Sequence, residues 1–141
     1  MAAGLTIRIV ETDADYLGLE IHASSNRFSG STWVYAGLDG LSEFAGALAG
    51  FPSSAHDERV YEFGSPKPSQ AGGYARLRFH CLDAAGHASI EIALEDDDQR
   101  FDAGSAGLSV RIEAAAIDQF TEALREIESA RCGEALLPSA D

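Results

Sequence analysis

The segment HCLDAAGHAS, from His80 to Ser89, sets two histidines, a cysteine and an aspartate around a glycine. Imidazoles and thiolates are zinc ligands, and a cysteine near a histidine is the pairing used by thiol nucleophiles. The spacing argues against both. With Asp83-Ala84-Ala85-Gly86 as a four-residue hairpin loop, Phe79 lies opposite Ile90, Leu77 opposite Ile92 and Arg78 opposite Glu91. Apolar residues then share one face and opposite charges pair on the other, whereas a one-residue slip would set Phe79 against Glu91. Gly86 supplies the left-handed backbone such a turn needs, and Asp83 accepts its hydrogen bonds. His80 and His87 take the more polar face and Cys81 the core face, because successive strand residues point opposite ways. Two histidines need further ligands, and His22 is the nearest by chemistry. The segment reads as a hairpin, and no catalytic, cofactor-binding or metal-binding residue is assigned. A metal-dependent enzyme using His80 and His87 is kept as an alternative.

The other motifs carry less chemistry. Glu95, Asp96, Asp97 and Asp98 lack the D-x-[DN]-x-[DN]-G spacing of a calcium loop and read as a solvated acidic loop. No glycine-rich dinucleotide loop, phosphate-cradling loop or G-x-S-x-G elbow occurs, and the only lysine, Lys67, sits between prolines. Trp33 lies in an alternating segment and is expected in the core. Cys81 and Cys132 lack C-x-x-C spacing and are expected to be buried free thiols.

These residues must be carried by a chain of 141 residues, 45% apolar, in which 10 basic residues face 23 acidic ones for a net charge of −13. A domain of this size buries about two-thirds of the surface its unfolded chain exposes, so residues 1–141 are expected to form a single domain without a metal or disulfide. The acidity disfavours nucleic acid and anionic membranes, and favours solubility and fast association with a basic partner. The first residues lack the basic-then-apolar pattern of a secretory signal, and no apolar run is long enough for a membrane span; a cytoplasmic location is expected.

Period-two patterns predict strands over Leu5–Val10, Tyr16–Ala23, Trp33–Ala36, Arg59–Phe63, Tyr74–Leu82 and His87–Leu94, with a seventh marked by Leu108, Val110 and Ile112. Leu41, Phe44, Ala45 and Leu48 form one apolar helical face near Asp39–Gly50, with Asp39 placed to cap it. Ile117, Phe120, Leu124 and Ile127 do the same near Ala116–Arg131, with Gly133 as a stop. The expected fold is α+β: an antiparallel, bent sheet of about seven strands with both helices packed on it. LSEFAGAL from Leu41 aligns with IDQFTEAL from Ile117, and the same offset lays Trp33–Ala36 over Ser109–Ile112. Two halves, each an antiparallel meander closed by a helix, would produce that echo.

Three stretches, FSGSTWVYAGLDGLSEFAGALAGFP, LRFHCLDAAGHASIEIAL and IEAAAIDQFTEALREI, resemble the layout of small bacterial WapI-like immunity proteins and their uncharacterised relatives. The shared features are a strand, a helix near L-x-x-F-x-x-x-L, a D-x-x-G-H hairpin and a closing helix with D-Q near its start. The matching positions are Leu41, Phe44, Leu48, Asp83, Gly86, His87, Asp118 and Gln119, between Phe28 and Ile127. The resemblance implies binding and neutralising a toxin domain rather than catalysis. The expected function is therefore non-enzymatic protein binding, without a cofactor. Glu95, Asp96, Asp97 and Asp98 are the expected contact with a basic partner. A binding or assembly module of another kind is the alternative.

Overall fold

The computed structural model describes residues 3–64, 72–96 and 104–140. The chain runs β1 (Gly4–Thr12), β2 (Tyr16–Ser24), β3 (Ser29–Gly37), α1 (Gly40–Leu48) and β4 (Glu58–Gly64). It continues with β5 (Tyr74–Cys81), β6 (His87–Glu95), β7 (Ser105–Glu113), α2 (Ile117–Ala130) and β8 (Gly133–Pro138). The α+β class and both helices are as expected. The sheet is not: among the described residues, eight strands form two four-stranded antiparallel sheets, ordered β3-β2-β1-β8 and β4-β5-β6-β7.

The added strand is GEALLP, where the sequence pattern ends the chain's regular structure at Gly133. Gly133 has φ +106 and opens this strand after a two-residue link from α2. Ala135 and Leu137 then point inward opposite Ile7 and Leu5 of β1. Proline at the end of so short an alternation masks its strand character.

The two halves anticipated from the helix echo are present. Each is a three-strand meander, a helix and one further strand, and that last strand crosses to the other half's sheet. β4 follows α1 but pairs with β5, while β8 follows α2 but pairs with β1. The registers correspond through the middle of the sheets, up to a shift between Ile9 and Glu11 that the second sheet lacks. Leu19 pairs with Ile9 and Val34 in the first sheet, and Ile90 pairs with Phe79 and Val110 in the second. Phe44 and Phe120, the matching residues of the two helices, meet edge to face with ring centroids 6.0 Å apart. The inner faces of both sheets and the apolar faces of both helices feed one buried cluster.

The halves differ in how their helices end. Asp39 makes no side-chain cap at α1. Instead Glu128 of α2 accepts from the Ser42 amide at 2.9 Å and pairs with its hydroxyl, so a carboxylate of one helix serves the open donors of the other. At the other end of α1, Arg59 donates to the carbonyls of Ala47 and Ala49 at 3.0 and 2.9 Å. Asp57 holds that guanidinium through Nε at 3.0 Å and Nη2 at 2.8 Å. α2 ends on Arg131 in the left-handed conformation, with no intervening loop of that kind.

The cysteine expectation is corrected. Cys132 is exposed, because it falls in the two-residue link between α2 and β8. Cys81 is half-buried against the core, its thiol 3.5 Å from the Ser54 carbonyl. Both are free thiols.

Candidate functional site

The hairpin of β5 and β6 has the register read from the sequence: Phe79 opposite Ile90, Leu77 opposite Ile92, Arg78 opposite Glu91. Gly86 has φ +95, and the Asp83 carboxylate accepts from the Ala85 amide at 2.7 Å. The same carboxylate contacts His87 Nδ1 at 2.7 Å, and this bond, with the amide donors, holds the Asp83 carboxyl below the usual carboxylate range. His80 instead lies 3.4 Å from Glu91. His22 sits in the other sheet, opposite Thr6 and Ser31, so the three histidines do not converge. Among the described residues no three His, Cys, Asp or Glu side chains gather as a metal site.

Of the acidic loop, Glu95 ends β6 and Asp96 follows it, while Asp97 and Asp98 lie outside the described residues. Asp96 lines a groove of about 530 Å³ together with Glu20, Thr32 and Trp33. Trp33 is the main correction to the sequence reading. It is 47% exposed, on the outer face of the first sheet, with Tyr35 beside it at 42%. Val34, between them, is fully buried opposite Leu19. Both faces of TWVYA read as apolar, so alternation alone could not say which pointed inward. The internal echo held the signal, since it lays Trp33 over Ser109, a polar residue.

Several features fix this aromatic face. Thr32, itself buried, donates through its hydroxyl to the Glu95 carbonyl at 2.8 Å, and the Gly73 amide donates to the Trp33 carbonyl at 2.7 Å. The two bonds clamp β3 to the open end of the β5–β6 hairpin, where β5 begins and β6 ends. Gly73 is required there: a Cβ would stand 2.1 Å from the Thr32 hydroxyl and 2.8 Å from the Trp33 carbonyl oxygen. Tyr16 packs edge to face on Tyr35, centroids 5.2 Å apart. Its hydroxyl donates to Glu11 at 2.9 Å, and that carboxylate pushes the phenol pKa up to about 12. Gly18, opposite Tyr35, leaves room for Glu11 to cross the strand. The result is a patch of three aromatic side chains bordered by Glu11, Glu20 and Asp96. Charged and aromatic groups so arranged suit a cationic ligand.

Comparison with protein-family models, with curated proteins and with solved structures finds no match to this chain. No helix among the described residues is long and apolar enough to cross a membrane.

Proposed function

We propose that the protein is a non-catalytic protein-binding module that captures a basic partner on the outer face of β2 and β3. Asp96 lines the adjoining groove, and Glu95, Asp97 and Asp98 are its neighbours in sequence. One observation carries this reading: Trp33 and Tyr35 stand half-exposed among carboxylates, while the corresponding residues of the other half are Ser109 and Arg111. The fold forms a strand there without aromatic side chains, so packing does not account for them. Half-exposed tryptophan and tyrosine are the residue types that dominate binding energy at interfaces. The net charge of −13 selects a basic partner and speeds its approach. A toxin domain with a phosphate-attracting cleft is a partner of that kind, in line with the immunity-protein resemblance.

Photo-crosslinking in the cell that makes the protein tests the reading, with a benzoylphenylalanine placed at Trp33 or, separately, at Ser109. The expected outcome is a basic protein crosslinked from position 33 and not from position 109, with a yield that falls as salt is raised after lysis. Equal crosslinking from both positions, or none from position 33, rules the face out.

A further inference from the structure

We infer that the group this face recognises is a guanidinium, an arginine side chain of the partner, and that the face discriminates against lysine. The inference rests on the reading of the β2–β3 face as the site for a basic protein. Its grounds are the shapes and positions of the groups themselves. Glu20 lies directly across the strand pair from Trp33. Asp96 lines the same groove, so carboxylates approach Trp33 from two elements. A guanidinium is planar: one laid on the indole face can still direct its edge N–H groups to carboxylates beside the ring. An ammonium is a compact point charge that keeps its water and cannot satisfy both demands at once. The sheet already holds one such partner of its own. Arg8 donates from Nη2 to one carboxylate oxygen of Glu20 at 2.7 Å, so a guanidinium on this carboxylate is already part of the face. Arg8 does not reverse the local charge, because Glu134 lies opposite it in β8 and Glu11 and Asp96 border the patch. The second sheet shows what the face would be without this role. It carries the same pair, Arg78 with Glu91, but Ser109 stands where an arginine would need a ring.

Trp33 is the single tryptophan of the chain, so its fluorescence reports this site alone. The full chain is titrated with a glycine-spaced peptide of three arginines and with its three-lysine counterpart, at matched ionic strength. The arginine peptide is expected to shift Trp33 emission and to bind at least about fivefold tighter than the lysine peptide. Trp33→Leu, followed by calorimetry, is expected to bring the two peptides level while leaving weak, salt-sensitive binding. Asp96→Asn is expected to weaken both. Equal affinity for the two peptides in the unaltered chain, or a preference that survives Trp33→Leu, overturns the inference. A neutral oligosaccharide that shifts the emission when neither peptide does overturns it in favour of sugar stacking. If the preference is absent but a basic protein still crosslinks from position 33, only the guanidinium assignment fails. If both are absent, the reading of the face fails with it.

Discussion

Two rows of outward-facing residues, one on each sheet, share their centre and differ at their ends. Across the first sheet the register sets Glu134, Arg8, Glu20 and Trp33 side by side. Across the second it sets Val60, Arg78, Glu91 and Ser109. The central arginine–glutamate pair occurs in both, as an ion pair in both. Exposed pairs of this kind add little to stability, and their recurrence fits a shared need to cover the outer face and to hold register. The rows part at the third strand, Trp33 against Ser109 and, one step along, Tyr35 against Arg111. What two copies of one architecture share belongs to the fold, and what only one carries must be explained by something else. At β3 that something is, on the reading proposed above, a face for a partner.

The comparison can be broken first at the core, where the halves should behave alike. Phe44→Ala and Phe120→Ala are each expected to cost about 3–5 kcal/mol in denaturant unfolding. The double change should cost less than the two together, because the rings border one another and share the space left behind. A loss confined to one of the two would show that the correspondence of the helices is only geometric.

The next largest effect lies where the helices are closed differently. Arg59 holds the Asp57 carboxyl well below the usual carboxylate range, with the Ser53 amide and hydroxyl adding to it. A carboxyl whose folded-state pKa is depressed stabilises the protein above its unfolded value and loses that contribution as pH falls toward the folded one. Asp57→Asn is therefore expected to cost about 1.5–3 kcal/mol at neutral pH, as charged hydrogen bonds do. The difference from the unaltered protein should shrink steadily below about pH 4. A difference independent of pH would refute the ionic account of the α1 cap.

The clamp on β3 gives a sharper contrast between glycines. Gly73→Ala drives a methyl into backbone oxygens of Trp33 and Glu95 and is expected to cost about 1–3 kcal/mol and to shift Trp33 emission. Gly107→Ala meets only one atom at 3.9 Å, an ordinary contact, and should leave both stability and emission nearly unchanged.

The smallest effect on stability should accompany the largest effect on binding. Exchanging the face for its counterpart, Trp33→Ser with Tyr35→Arg, is expected to move stability by no more than about 0.5 kcal/mol per site, since both are surface positions. The crosslinking reactivity of the β3 face, read from a benzoylphenylalanine at Ser31, should disappear in that variant. A large loss of stability would return the aromatics to the fold.

The sequence by itself determined the local structure of this chain: the helical faces of α1 and α2, the register of the β5–β6 hairpin with its glycine turn, and the echo between the halves. Each depends on neighbours a few residues apart, where side-chain period and turn chemistry act directly. The tertiary structure decided how many sheets those strands make, because β8 finds β1 only after the rest of the chain has brought them together, and no local pattern encodes that pairing. It also decided the site. In TWVYA either face could have been buried; the pairing of Val34 with Leu19 turned Val34 inward and Trp33 and Tyr35 out, and the fold then carried Asp96 to the same groove from the far side of the chain.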